Sequence, residues 1–344
     1  MTLAVLEVIR QCLFSRKLNT ENMELKYEIE ADWILLTTCN FRCSYCFFSP
    51  SDLGAKMVVQ GTNEQWAEGF NATGKTWLLH ITGGEPTIYP DFVGLCEQLS
   101  RNHYLSINSN ISHQCIDSFA ERIDPKRVHF INASVHYDVR QKKAGIDAFI
   151  ERVQKLRRHD FTVLVSAVMT PKMVVEFPEI SKYFESHGVA LIPKVLRGTY
   201  LGKKYPSEYS KDEESLILEY LAESARKYAP IVGKMGESAT IDMLSDGPYL
   251  KSKNDDYRGK LCGSGYNFVK IEIDGTVVQC GAGRSLGNIL LNNVTFQRAP
   301  QACETSYCPY FCKKYTSPQF TRMCKREGNP FITSLFARMR KILF

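Results

Sequence analysis

The chain contains no apolar run near the length of a membrane span, no internal repeat and no low-complexity segment. These absences argue against a helical membrane protein, a solenoid and a disordered linker. Its start, MTLAVLEVIR, interrupts the apolar stretch with Glu7 and Arg10 and has no basic residues before it. No secretory signal is expected there, and a cytoplasmic location is. Cysteine is absent between Cys115 and Cys262, although the chain has 12 in all. Three sit at Cys39, Cys43 and Cys46, and six at Cys262, Cys280, Cys303, Cys308, Cys312 and Cys324. Two clusters in a chain read as cytoplasmic favour metal over a disulfide framework.

The 344 residues fit a large α/β domain plus a small one, and an apolar content of 44% is enough for a sizeable core. The net charge of +6 lies in one place. Residues 301–344 hold eight Lys or Arg against two Glu, which accounts for the whole excess. A basic segment of this kind is first of all a solvated surface, and no nucleic-acid partner is expected.

Six segments rich in β-branched and aromatic residues read as buried strands: 33–37, 77–81, 104–108, 128–135, 162–169 and 190–195. Helical patterns fall between them at 89–99, 148–156 and, more weakly, 176–184. Alternation of this kind implies a parallel sheet with right-handed crossovers, here a partial (β/α)6 TIM-like barrel. A helix is expected at 210–228, where Ser210 and Glu213 are spaced as a capping box. Asp274-Gly275 between alternating runs predicts a hairpin over 266–280. The expected divisions are an N-terminal amphipathic helix (1–30), the barrel (31–230), a cysteine-rich domain (231–330) and a basic amphipathic tail (331–344). Packing on the barrel or on a second subunit is the plainer role for both amphipathic segments. The tail also fits weak contact with an anionic membrane surface.

The stretch TTCNFRCSYCFF lacks a fourth cysteine. A structural zinc site wants four ligands, and no His or Cys follows at the usual distance. Three thiolates on a 4Fe–4S cluster leave one iron open to bind a substrate or cofactor. The second strand runs into ITGGEPTIYP. There Gly83 and Gly84 allow close backbone approach, Glu85 supplies an acceptor for an ammonium group, and Pro86 stiffens the turn. Both loops follow strands, so both open on the barrel face where such folds place their sites.

CX3CX2C after the first strand and GGEP after the second closely resemble the radical S-adenosylmethionine (SAM) superfamily, over residues 33–195. The resemblance implies an enzyme in which Cys39, Cys43 and Cys46 hold a 4Fe–4S cluster whose open iron binds the amino and carboxylate groups of SAM. One electron then cleaves SAM to a 5′-deoxyadenosyl radical that abstracts a substrate hydrogen. It further implies that Tyr45 packs adenine, that Gly83, Gly84 and Glu85 contact the methionine ammonium, and that Ser134 lies near the SAM carboxylate and ribose. Asn108 and Ser166 are further strand-end candidates, for which hydrogen bonding within the fold is the plainer role. The Arg that often follows the serine about a dozen residues on is replaced here by the nearer Arg140, Lys142 and Lys143. No catalytic residue beyond these is assigned.

Cys262 and Cys280 bracket the hairpin in a way similar to the SPASM or twitch extensions of the superfamily, which hold auxiliary 4Fe–4S clusters. Cys303, Cys308, Cys312 and Cys324 depart from the full SPASM pattern, because the close CX2C pair is missing. At least one auxiliary cluster is expected, with Cys262, Cys280 and Cys312 foremost among its ligands; a structural zinc is the other reading. The implied activity is oxidation or epimerisation of a small molecule or carbohydrate, fed by an electron donor such as flavodoxin or ferredoxin. A maturase acting on a ribosomally made peptide is the alternative. The 38 residues before Cys39 are few for the peptide-recognition domain such enzymes often carry.

Overall fold

The computed structural model describes residues 25–143, 145–235, 246–251, 256–280, 283–306 and 308. The N-terminal segment to residue 24, the basic tail, Cys312 and Cys324 lie outside the described residues. The six expected strands form in order as β1 (Ile29–Leu36), β2 (Trp77–Gly83), β3 (Tyr104–Ser109), β4 (Val128–Ser134), β5 (Val163–Met169) and β6 (Ile192–Val195). All five successive pairings are parallel. Together they are the α/β partial barrel that the pattern predicts.

Alternation along each strand separates two faces. Ile29, Ala31, Trp33 and Leu35 of β1 join the large apolar core with Leu79 and Ile81 of β2 and Leu105 and Ile107 of β3. Helices cover this face: α1 (Pro50–Gly54), α2 (Asn63–Ala72), α3 (Phe92–Ser100), α4 (Cys115–Arg122), α5 (Tyr137–Lys142), α6 (Ile146–Arg158) and α7 (Pro171–Ser186). Trp33 meets Trp66 of α2 with ring centroids 4.7 Å apart, and Phe70 at 5.1 Å. Burial of each such side chain contributes about 1.5–3 kcal/mol. The intervening residues carry polar groups. Asn132 donates Nδ2–H to Asn108 Oδ1 at 2.9 Å and accepts from Ser166 Oγ at 2.8 Å, linking β3, β4 and β5. One layer lower, His80 joins Ser106 and Glu30.

The helix expected at 210–228 runs Lys211–Met235 (α8) and starts on the capping box: Glu213 N–H donates to Ser210 Oγ at 3.1 Å, and Ser210 N–H to Glu213 Oε2 at 2.7 Å. Between β6 and α8 stands a small hairpin of β7 (Gly198–Tyr200) and β8 (Lys203–Tyr205). A short helix, Asp246–Lys251 (α9), follows α8.

Beyond it come β9 (Leu261–Cys262), β10 (Phe268–Ile271), β11 (Thr276–Val278), β12 (Ser285–Asn288) and β13 (Gln301–Ala302). The hairpin around Gly275 is β10–β11, as the Asp-Gly pair predicts. Its first strand lies parallel to β1, with Glu30 opposite Phe268 and Trp33 opposite Ile271, so it continues the barrel sheet. Among the described residues no helix is long and apolar enough to cross a membrane.

Candidate active site

The chain leaves β1 at Leu36 and turns into the cysteine loop. The β2 end lies against it so closely that only glycine fits. A Cβ on Gly83, whose φ is +133°, would sit 2.1 Å from the Leu36 carbonyl oxygen; one on Gly84 would sit 2.1 Å from that of Thr38. Gly84 N–H donates to Leu36 O at 2.8 Å and Glu85 N–H to Thr38 O at 3.0 Å. The two glycines therefore dock one strand-end loop on the other.

Glu85 is 1% exposed. Its carboxylate accepts from Ser109 Oγ at 2.6 Å, the Asn110 N–H at 2.6 Å, and the N–H and hydroxyl of Thr87 at 3.0 and 2.5 Å. Burial pushes its pKa up, and these four hydrogen bonds oppose that. Asn110 in turn donates Nδ2–H to Asn40 Oδ1 at 2.9 Å, and Asn40 donates to Ser112 Oγ at 2.7 Å. Glu85 is thus a latch between the ends of β2 and β3, and Asn40 ties the cysteine loop to the same point.

Arg140 is buried beside this latch. It donates from Nε to Val135 O at 2.6 Å and from NH2 to Asn110 O, and it stacks over Phe41 and Phe149 at 5.3 and 4.3 Å. Burial pushes the guanidinium down to about 10, partly opposed by Glu85. Lys143 Nζ lies over the same Phe41 ring, at 5.0 Å.

Cys39, Cys43 and Cys46 are free thiols at this mouth. Burial raises the pKa of all three, to about 12 for Cys43, with repulsion from the other two thiols adding to it there. The Phe41 N–H points at Cys39 Sγ at 3.3 Å, and the Phe47 and Phe48 amides bond Cys46. Such N–H···S contacts suit sulfurs that become thiolates on binding metal. Among the described residues no three His, Cys, Asp or Glu side chains are gathered closely enough for a single metal ion.

Tyr45 is turned inward. Its hydroxyl lies 2.9 Å from His136 Nδ1, which is also 3.4 Å from Cys43 Sγ. Burial, with Arg140 nearby, pushes the imidazole down to about 4. Ser134, half-buried, closes β4 opposite Ser166 of β5. Asn108 and Ser166 meet through Asn132, which the sequence reading passed over together with Asn40, Ser109, Asn110 and His136. The run Asn108-Ser109-Asn110 at a strand end was the available signal.

A second thiol group forms in the C-terminal region. Pairing of β9 with β13 sets Cys262 opposite Gln301, and Cys303 follows directly. Cys303 N–H donates to Lys260 O and Gly259 N–H to Cys303 O, both at 2.8 Å. Cys262 is buried with Phe268, and Cys303 and Cys308 pack on the pair. Its pKa is raised to about 11 by burial, with Cys303, Cys308 and Cys280 adding repulsion. Three described cysteines, Cys262, Cys303 and Cys308, therefore pack together here.

Residues 33–182 match the model of the Radical SAM superfamily, a family that uses a 4Fe–4S cluster and SAM. A GTP 3′,8-cyclase of Pseudomonas fluorescens is 35% identical over 79 residues, 22% of this chain and 24% of the cyclase. The chain thus spans about a quarter of that relative's length. A glycyl-radical enzyme activating enzyme of Methanocaldococcus jannaschii is 27% identical over 185 residues, 51% of this chain and 69% of that protein. Among solved structures, anSMEcpe with bound AdoMet superposes with a TM-score of 0.53 at 15% identity, over 76% of this chain and 78% of that one. The same protein with AdoMet and a Cp18Cys peptide gives 0.51 at 16%, over the same shares. At these identities the likeness is one of fold.

Proposed function

We propose that this chain, whose residues 33–182 match the Radical SAM superfamily, is an enzyme that reductively cleaves SAM at the barrel mouth to oxidise or epimerise an organic substrate. The carrying observation is that the three thiols of CX3CX2C stand on a loop docked against Gly83-Gly84 and tied to the Glu85 latch. When bound, the cluster and SAM supply one-electron cleavage and a hydrogen-abstracting radical.

The chain's own residues hold and orient. Cys39, Cys43 and Cys46 would hold the cluster. Gly83 and Gly84 bring the β2 end within contact of the loop, where exposed backbone would receive the methionine ammonium. Glu85 supplies negative charge beneath that position while its oxygens are taken by Ser109, Asn110 and Thr87. Ser134 and the Asn108–Asn132–Ser166 chain would meet the ribose hydroxyls, since each keeps donors and acceptors on the polar face. Tyr45 would stand beside adenine. Arg140 positions the loop through Asn110 and Phe41.

In the C-terminal region, Cys262, Cys280, Cys303 and Cys308 would hold one auxiliary 4Fe–4S cluster of the SPASM or twitch kind, able to take an electron from the substrate. The packing of Cys303 and Cys308 on Cys262 supports this set; the expected ligand Cys312 lies outside the described residues. The substrate favoured by the polar barrel face is a small molecule or carbohydrate rich in hydroxyl or amine groups. A peptide substrate is the second reading, because anSMEcpe, of similar fold, was solved with a peptide bound.

The deciding experiment is anaerobic incubation of the reduced protein with SAM. Formation of 5′-deoxyadenosine supports the assignment, and none from cluster-loaded protein refutes it. Deuterium transfer into 5′-deoxyadenosine from labelled hydroxylated compounds or from peptides then separates the two substrate readings.

A further inference from the structure

His136 stands just after β4 in the left-handed region, with φ +46° and ψ +54°, a conformation uncommon for residues other than glycine, although Asn, Asp and His adopt it more often than most. Its carbonyl accepts the N–H groups of Val139 and Arg140 at 3.0 and 3.1 Å, so it is fixed as the N-cap of α5. That backbone aims the ring into the barrel mouth. Phe41 meets it edge-on at 5.9 Å and Tyr45 stacks at 6.1 Å. Nδ1 then lies 3.4 Å from Cys43 Sγ and 2.9 Å from the Tyr45 hydroxyl. A strained residue held in place by its neighbours is a common mark of a functional position.

We propose that His136 donates its Nδ1–H toward the Cys43 sulfur and thereby sets the reduction potential of the cluster held by the loop. This rests on the reading that Cys39, Cys43 and Cys46 hold a cluster. Hydrogen bonds to a ligand sulfur withdraw charge from it, and the reduced, more negative state gains more from them than the oxidised state. His136 is therefore a positioning and tuning residue. The Tyr45 hydroxyl, 2.9 Å from Nδ1, helps fix the imidazole in this position.

The test uses anaerobically reconstituted full-length protein without SAM. The cluster signal is identified as the EPR signal lost in the Cys39→Ala, Cys43→Ala, Cys46→Ala variant, and its midpoint potential is measured by EPR-monitored titration. His136→Phe should shift that potential to more negative values at unchanged iron content. His136→Gln, which keeps an N–H donor, should recover part of the shift, and Tyr45→Phe should give a smaller shift of the same sign. In parallel, wild-type protein grown with 15N-histidine should show a 15N coupling to the reduced cluster by pulsed EPR. An unchanged potential in His136→Phe overturns the proposal, as does the absence of that coupling in wild type. If His136→Phe does not load iron, the wild-type coupling decides. Absence of any loop-dependent cluster signal in wild type would instead overturn the underlying assignment.

Discussion

The two cysteine groups are held in different ways. At the barrel mouth, the polypeptide positions the thiols. Docking of Gly83 and Gly84 under Thr38, the Glu85 latch and the Asn40–Asn110 bond are all made by groups other than the cysteines. In the C-terminal region the thiols are themselves the packing: Cys262 and Phe268 form a small apolar cluster, and Cys303 and Cys308 cover it. The mouth is therefore built to keep its shape without metal, which is what the proposed SAM-binding cluster would need. On the proposed auxiliary-cluster reading, the other site would depend on what its thiols hold.

The largest expected difference is on metal removal. Chelation should leave the barrel's far-UV dichroism nearly unchanged and make residues 256–308 the preferred site of limited proteolysis. Equal protease resistance of this segment with and without metal would erase the contrast. The next effect strikes the mouth. Gly84→Ala places a Cβ 2.1 Å from the Thr38 oxygen and should cost about 3 kcal/mol in denaturant unfolding, with loss of loop-bound iron and retention of iron at the C-terminal thiols. Glu85→Ala leaves Ser109, Thr87 and the Asn110 N–H without their acceptor and should cost about 2–3 kcal/mol. Glu85→Gln should cost less, because it keeps one accepting oxygen.

The smallest effect is a pH dependence that belongs to the barrel alone. His103 is buried, its Nδ1 accepts the Trp77 N–H at 3.4 Å, and burial pushes it from 6.5 down to about 4. The unfolded chain binds this proton more readily, so stability is fully present above pH 6.5 and is lost as pH falls toward 4. Lowering the pH from 7.5 to 5.5 should cost about 1 kcal/mol through this group, and His103→Gln should remove that slope.

Much of the barrel was legible because parallel strands covered on both faces read as near-continuous apolar runs. α2 was missed: Trp66 and Phe70 mark its buried face, but NEQWAEGFNA is short and polar elsewhere. The parallel pairing of β10 with β1 joins residues more than two hundred positions apart, which no local pattern can reveal. At the site, residue types were readable and their hydrogen-bond partners were not. Nothing local marked Ser109, Thr87 and Asn110 as the partners of Glu85, or His136 as the partner of the Tyr45 hydroxyl. The convergence of Cys303 and Cys308 on Cys262 follows from the β9–β13 pairing of two-residue strands, too short to leave a periodic signal.

The most direct test of the account is to measure iron and 5′-deoxyadenosine together in the Cys39→Ala, Cys43→Ala, Cys46→Ala variant and in wild type. Wild type should bind about eight irons per chain and cleave SAM when reduced, whereas the variant should keep about four irons and form no 5′-deoxyadenosine. Undiminished 5′-deoxyadenosine from the variant, or loss of all iron with it, would contradict the division of roles between the two thiol groups.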